Sequence, residues 1–126
     1  MYNKENITLK EFLLKMNGGE FEVIAQDNYG ESVSLIFVLF KENEIENAQL
    51  GYSVDEQGNS LTENNEGDWQ HGWVVIGYEE ELGDPLIIDT SQEGYPILTA
   101  EHGAGDWEPI VLFNSLNDMK ESIDQN

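Results

Sequence analysis

The sequence contains no cysteine and no arginine, and it has only three prolines among 126 residues. The absence of cysteine excludes disulfide bonds and metal sites built on thiolates. The absence of arginine leaves five lysines against 26 acidic residues, which gives a net charge of -21. Affinity for phosphate groups depends on lysine and arginine, so this composition argues against binding to nucleic acid or to an anionic membrane.

The sequence also has no long hydrophobic run. Its longest apolar stretch, "VSLIFVLF", is too short to cross a bilayer, and the first residues lack the apolar segment of a signal peptide. A hydrophobic content of 39% argues for a folded chain rather than a disordered one. We therefore expect one domain over residues 1–126, in a soluble and cytoplasmic protein.

The strong acidity has two interpretations that composition alone leaves open. A surface with this charge attracts basic partners and accelerates their encounter with the protein through long-range steering. The same charge also keeps an abundant protein soluble without serving any partner.

The N-terminal part predicts a short helix of about two turns. Thr8 and Glu11 have the spacing of a capping box, and Ile7 with Phe12 has the spacing of a hydrophobic staple. The stretch Asn17-Gly18-Gly19 predicts a left-handed end to the helix. Near the other terminus, "SLNDMKESI" predicts a second helix that begins with a capping box at Ser115 and Asp118.

Between these helices the sequence predicts a mainly antiparallel sheet, so the expected fold class is α+β. "SVSLIFVLF" is apolar throughout and predicts a central strand that is buried on both faces. "NEIENAQLGY" predicts one or two helical turns, and residues 52–72 are either a functional loop or a short hairpin. The other expected strands are "EFEVIAQ", "WVVIGY", "PLIID", "YPILTAEH" and "WEPIVLF".

The chemically richest stretch is "GDPLIIDTSQEGYPILTAEHGAGDWEP", residues 83–109. Its Asp-Thr-Ser at residues 89–91 is similar to an aspartic-protease loop, but that chemistry needs a second carboxylate sharing the proton. The turn after a strand often takes an aspartate as its cap, which is the interpretation we favour for Asp89. Gly103 and Gly105 in "GAG" predict a turn with positive φ rather than a phosphate loop.

His102 offers a second chemical interpretation. With Asp84, Asp89, Glu101 and Asp106 it has oxygen and imidazole groups suited to manganese or zinc, as in a small metal-dependent hydrolase. The alternative, which we favour because no metal-ligand spacing is present, is a structural histidine hydrogen-bonded to backbone beside the turn.

The three tryptophans are a further candidate site. Trp69, Trp73 and Trp107 are suited to stacking on a sugar, as in a carbohydrate-binding or scaffolding protein of the cell envelope. Single tryptophans on strands more often fill the core or its rim, and we expect that role here.

The ordered motifs of the chain resemble the SUKH superfamily, in the branch similar to the fungal Smi/Knr cell-wall-assembly regulators. The motifs begin with an apolar strand that ends in Ile-Gly, followed by Gly-Asp-Pro and a second apolar strand that ends in Asp. Tyr-Pro, His-Gly, Trp and Pro come next, and a terminal helix follows them. The helix "EFLLKMNGG" is similar to the family's helix ending in Asn-Gly-Gly. The matching motif residues are Ile76, Gly77, Gly83, Asp84, Pro85, Asp89, Tyr95, Pro96, His102, Gly103, Trp107 and Pro109.

Two segments depart from the family pattern. Residues 52–72 have no clear counterpart, and only seven residues precede Thr8 where the family usually has a further helix. We therefore expect either a smaller core or another segment or chain that covers the exposed face.

The resemblance implies a non-catalytic immunity protein of the bacterial branch, without metal or cofactor. Such proteins neutralise polymorphic toxins, often nucleases or deaminases with basic grooves, by direct binding. An acidic chain without arginine suits such a groove. The contacts expected from this implication are the consecutive acids Glu79, Glu80 and Glu81, with the segment 52–72 as a second patch and with Asp84, Asp89 and Asp106.

Overall fold

The structure is a computed structural model that describes residues 8–26, 29–62, 67–103 and 105–124. The chain forms an α+β fold, as the sequence predicts, with an antiparallel sheet and a helix near each terminus of the chain. The elements in chain order are α1 (Leu9–Met16), β1 (Glu20–Gln26), β2 (Ser32–Leu39), a 3-10 turn (Glu42–Glu44), α2 (Ile45–Ala48), β3 (Trp73–Glu79), β4 (Pro85–Asp89), β5 (Ile97–Ala100), β6 (Pro109–Phe113) and α3 (Leu116–Asp124).

The six strands form one sheet in which every strand pairs with its neighbours in the sequence. The turns β3–β4 and β5–β6 therefore lie at one end of the sheet, and the β4–β5 turn lies at the other. A larger core cluster on one face includes residues of α1 and α3, and a smaller, aromatic cluster on the other face includes Trp69. The sheet is thus covered by helices on one face and by the segment between β2 and β3 on the other.

Both predicted helix starts are confirmed. The Thr8 hydroxyl oxygen accepts the N–H of Glu11 at 3.1 Å and donates to the Glu11 carboxylate at 3.0 Å. The Ser115 hydroxyl oxygen accepts the N–H of Asp118 at 3.0 Å. Asn17 ends α1 in the left-handed conformation, with φ of 48°. Ile7, the other half of the predicted staple, lies outside the described residues.

The prediction that β2 is buried on both faces is wrong for its first half. Residues 32–34 are exposed, and only Phe37 and Leu39 are fully buried. The register explains the difference, because β2 pairs with β3 only from Phe37 to Leu39, whereas it pairs with β1 along its whole length. The outer part of the β1–β2 hairpin therefore extends beyond the rest of the sheet.

In the first half of β3, beyond the end of its pairing with β2, the side chain of Gln49 hydrogen-bonds to the backbone. The Gln49 amide nitrogen donates to the carbonyl of Val75 at 2.8 Å, and its amide oxygen accepts the N–H of Val75 at 2.9 Å. The same nitrogen donates to the carbonyl of Ile45 at 2.7 Å, which attaches Gln49 to α2. This one side chain supplies the two hydrogen bonds that a neighbouring strand would make with Val75.

The segment 52–72 contains no regular strand among its described residues. A single antiparallel bridge joins Val54 to Ser60 across a turn. The predicted short hairpin is therefore present only as one pair of bridged residues. The Asp55 carboxylate holds this turn by accepting the N–H groups of Gln57 and Asn59, each at 2.9 Å. Tyr52 and Trp69 pack into the aromatic cluster and so hold the segment against this face of the sheet. In the part of the chain that the structure describes, no helix is long and apolar enough to span a membrane.

Candidate binding surface

Asp84 and His102 form the polar contact that joins two turns at one end of the sheet. One carboxylate oxygen of Asp84 lies 2.6 Å from the His102 ring Nδ1 and accepts the His102 backbone N–H at 3.1 Å. The Asp84 side chain is largely buried, whereas that of His102 is half exposed. The pair therefore holds the β3–β4 turn against the β5–β6 turn.

The expectation that His102 bonds to backbone is wrong about its partner. Its ring nitrogen contacts the carboxylate of Asp84, eighteen positions earlier in the chain. Antiparallel pairing of β4 with β5 brings the residue before β4 next to the residue after β5. A structural role for His102 is consistent with this contact, because the pair connects two turns.

The carboxylates proposed as metal ligands lie in different places. Asp84 precedes β4 and Asp89 ends it, so roughly 16 Å of extended chain separates them at about 3.3 Å per residue. Asp106 lies against Gly67, where an added Cβ would come within 2.9 Å of the Asp106 Cγ. No three His, Asp or Glu side chains within residues 8–26, 29–62, 67–103 and 105–124 converge as metal ligands. The proposed set around His102 therefore does not form one site.

Asp89 caps the turn that follows β4, as the sequence predicts. One carboxylate oxygen accepts the backbone N–H of Ser91 at 3.0 Å and the Ser91 hydroxyl, and the other accepts the Gln92 amide at 3.0 Å. Asp89 is buried, and these bonds all lie within its own turn. The Asp-Thr-Ser stretch is thus a strand-to-turn junction.

Glu79 requires a correction among the predicted contact residues. It ends β3 and is only 5% exposed, and its carboxylate accepts the N–H groups of Glu81 at 2.9 Å and Leu82 at 2.7 Å. Glu79 therefore caps the β3–β4 turn from inside, and the buried Asp89 does the same for the β4–β5 turn. Glu80 and Glu81 are exposed, and they remain available to a partner.

The charges are distributed unevenly over the chain. Residues 42–119 contain 18 of the 26 acidic residues and neither lysine nor arginine. Lys10 and Lys15 lie on α1, Lys120 lies on α3, and the Lys41 side chain packs beside Gly18 at the end of α1. The described lysines therefore lie in or against the terminal helices. The turns β3–β4 and β5–β6 and the segment over the other face are purely acidic, and we call them the acidic surface.

Four rings of the aromatic cluster contact one another beneath this surface. The Trp69 ring lies 5.1–5.3 Å from the rings of Tyr52, Trp73 and Trp107. Trp69 and Trp73 are buried, as we predicted, and Trp107 is partly exposed. Burial, and secondarily the charge of Asp84, raises the pKa of Tyr52. The Tyr52 phenol therefore gives up its proton less readily than that of an exposed tyrosine.

A shallow groove runs between the segment 67–71 and β6. Two adjoining depressions of about 610 and 480 Å³ share Gln70, Trp73 and Pro109 as lining residues. Asp68, Asp106 and Glu108 border the larger one, which also exposes Trp107. The groove thus combines indole rings with carboxylates, a combination that suits a cationic side chain. Sequence reasoning missed it because its two walls are about 40 residues apart.

The remaining motif residues lie at the boundaries of strands. Gly77 adjoins β2 so closely that an added Cβ would come within 2.4 Å of the Val38 carbonyl oxygen. Gly83 and Gly103 have positive φ in their turns, and so does Tyr95, with φ of 58°. The prolines begin or precede strands, at Pro85, Pro96 and Pro109. The motif residues therefore shape the sheet and its turns.

Comparison with protein families matches residues 8–122 to the SMI1 / KNR4 family (SUKH-1). The match includes α1, all six strands and α3 as far as Ser122. No curated protein and no solved structure gives a significant match to the chain.

Proposed function

This chain belongs to the SMI1 / KNR4 (SUKH-1) family, and on that premise we propose that it is a cytoplasmic immunity protein of a single domain. In this proposal the protein is not an enzyme and uses no metal or cofactor. It neutralises a basic protein toxin, of the nuclease or deaminase type, by occupying the toxin's substrate groove. Nucleic acid and membranes are not its partners.

The uneven charge of the chain is the observation that carries this proposal. The acidic surface lies within residues 42–119, a range without lysine or arginine, so a cationic groove meets carboxylates without intervening like charges. Complementary potentials of this kind accelerate association and discriminate against wrong partners. In this complex, the carboxylates of the acidic surface take the place of the phosphates of a nucleic acid.

The positions of the polar side chains support a non-catalytic role. Asp89 and Glu79 have their carboxylates committed to their own turns, and His102 is paired with Asp84 between two turns. These contacts hold the turns in place. The exposed side-chain carboxylates of Glu80 and Glu81 make none of them.

The test is to mix the protein with the toxin domain encoded beside it and to measure association at different salt concentrations. Steering through exposed charges is screened over about 8 Å at physiological salt. The association rate should therefore fall between about 50 and about 500 mM NaCl, while the dissociation rate changes little. The double variant Glu80→Gln with Glu81→Gln should associate more slowly and unfold at the same temperature as the parent.

A matched control removes two carboxylates at the opposite end of the sheet. Glu93 lies in the β4–β5 turn and Asp118 lies in the first turn of α3, so Glu93→Gln with Asp118→Asn changes the net charge equally. This control should retain the parental association rate more closely. Equal effects of both pairs would contradict the assigned surface, and absence of binding by the parent would overturn the immunity function.

A further inference from the structure

The strand β6 forms one edge of the sheet. It is the last strand in the order β1 to β6, so its inner side pairs with β5, and no strand from residues 8–26, 29–62, 67–103 and 105–124 lies along its outer side. Among the described residues, no backbone hydrogen bond other than the β5 pairing involves residues 109–113. An edge of this kind presents a row of N–H and C=O groups that can pair with another chain.

Within the described residues, neither layer of the fold covers the first half of β6, whereas Leu112 and Phe113 pack against the larger core cluster. Ile110 is 63% exposed and Val111 is 57% exposed, although neighbouring strand residues point to opposite faces. Val111 pairs with Leu98, which packs in the aromatic cluster, so Val111 lies on that face and Ile110 lies on the helical face. Both faces of β6 therefore expose an apolar side chain to solvent, and an added strand would cover both.

The two edges of the sheet differ in their protection. Charged side chains on an edge strand discourage the addition of another strand. The other edge, β1, carries the exposed Glu20 and Glu22, whereas "PIVLF" in β6 has no charged side chain. Proline at position 109 blocks pairing only at the start of β6, and the register shift between Val111 and Phe113 is an irregularity that an added strand has to follow.

The side chains around the outer edge of β6 are acidic and aromatic. Asp106 and Glu108 precede the strand, and together with Asp68 they border the groove beside it that exposes Trp107. A second copy of this chain would bring its own charge of -21 to the same edge. Charge complementarity therefore favours a basic segment over self-association.

We infer that the outer edge of β6 accepts an extended, basic segment of the partner protein as an additional strand of the sheet. Main-chain hydrogen bonds to residues 110–113 supply affinity in this mode, and the alternate side chains supply specificity. Lysine or arginine side chains of the segment contact the carboxylates around Trp107. The inference rests on the proposed function, because it assigns the surface and the kind of segment through which the toxin is bound.

The first experiment uses a soluble peptide of alternating lysine and threonine, twelve residues long, as the probe. Its binding to the isotopically labelled protein should shift the amide resonances of residues 110–113 and slow their hydrogen exchange. Ile110→Lys should weaken binding by about tenfold or more, because the new cation repels the probe at the edge. A peptide of alternating glutamate and threonine should not bind.

Ile24→Lys is the matched control for this substitution. Ile24 is 61% exposed on β1, so the change has the same chemistry, the same charge and nearly the same exposure at the opposite edge. It should leave the affinity for the lysine peptide within about twofold of the parent. Equal weakening by both variants, or shifts spread over the acidic surface without β6, would overturn the inference in favour of unspecific charge attraction.

A second experiment separates this inference from the proposed function. If the neighbouring toxin domain binds the parent and Ile24→Lys but binds Ile110→Lys about tenfold more weakly, both stand. Binding that is equal for the two variants would overturn the edge inference and leave the immunity function intact. Sedimentation of the protein alone gives a further check, because a dimer that Ile110→Lys dissociates would show that a second copy covers β6.

Discussion

At the residue scale, two glycines are required for different physical reasons. Gly77 lacks space, because β2 passes so closely that a Cβ would overlap the Val38 carbonyl. Gly103 has free space around it but has φ of 79°, a conformation that side chains with a Cβ rarely adopt. A substitution at Gly103 therefore tests backbone strain alone, without a steric clash.

Gly103→Val should lower the free energy of unfolding by roughly 1–3 kcal/mol, since a β-branched residue is strained at positive φ. Gly103→Asn should cost less, because asparagine tolerates the left-handed region. Urea unfolding followed by circular dichroism measures both, with the exposed Glu80→Val as the control. A midpoint for Gly103→Val equal to that of the control would show that this turn does not require glycine.

The Asp55 carboxyl stabilises its own turn, and this contribution depends on pH. The N–H of Asn59, followed by that of Gln57, lowers the pKa of the Asp55 carboxyl below its usual 3.8. A lowered folded-state pKa contributes stability that is present above the unfolded value and is lost as the pH falls through the folded value. The turn at residues 55–59 should therefore weaken in acid.

Asp55→Ala should melt at a lower temperature than the parent at pH 7, and the difference between them should shrink below about pH 3.8. The neighbouring Glu56→Ala, at an exposed position, is the control and should show a smaller difference at pH 7. Thermal unfolding between pH 7 and 2.5 measures the effect. A difference that stays constant over this range would contradict a role for the ionised carboxylate.

At the element scale, α2 and β3 are joined by the side chain of Gln49. The Gln49 amide makes three hydrogen bonds, two to Val75 of β3 and one to Ile45 of α2. Val75 is fully buried, so its N–H and C=O have no access to water in place of Gln49. A buried polar group that loses its partner costs more than the bond itself contributes.

Gln49→Ala should therefore destabilise the protein by about 1–3 kcal/mol and expose the Val75 amide to hydrogen exchange. Gln49→Glu should retain the acceptor for the Val75 N–H but place a carboxylate oxygen against two carbonyl groups. The exposed Gln57→Ala is the control for the loss of an amide. Unchanged exchange of the Val75 amide in Gln49→Ala would show that another group replaces the missing partner.

At the scale of the whole molecule, the net charge of -21 opposes the compact state. Carboxylates crowded on one side of the fold repel one another, and dissolved salt screens this repulsion. The described ion pairs between lysine and carboxylate involve Asp124 of α3, which pairs with Lys15 of α1 and with Lys120 one turn earlier in α3. They do not relieve the acidic surface.

The melting temperature at pH 7 should therefore rise between about 20 and about 500 mM NaCl. The rise should become smaller as the pH approaches the isoelectric point of about 4.1, where the net charge is low. Sodium chloride and sodium bromide should act alike, because screening depends on ionic strength. A melting temperature that falls with salt would show that the ion pairs outweigh the repulsion.

Local signals in the sequence were sufficient to predict much of the fold. The cap at Thr8, the left-handed end at Asn17 and the turn cap at Asp89 depend on hydrogen bonds that cross only a few residues. The alternation and composition of the strands predicted the antiparallel sheet, and the ordered motifs from Ile76 to Pro109 indicated the family that residues 8–122 match. These features are determined by the sequence itself, since short-range geometry leaves them few alternatives.

Strand register and stagger decided the rest. β2 pairs with β3 over only three residues, so half of β2 is exposed and the Val75 backbone bonds to the Gln49 side chain instead. No local pattern in the sequence specifies where such a pairing ends. Turn geometry placed the carboxylate of Glu79 inside while Glu80 and Glu81 stayed outside, although the three are identical in the sequence. Only the tertiary structure decides such differences, because they depend on which distant segment occupies the space beside each side chain.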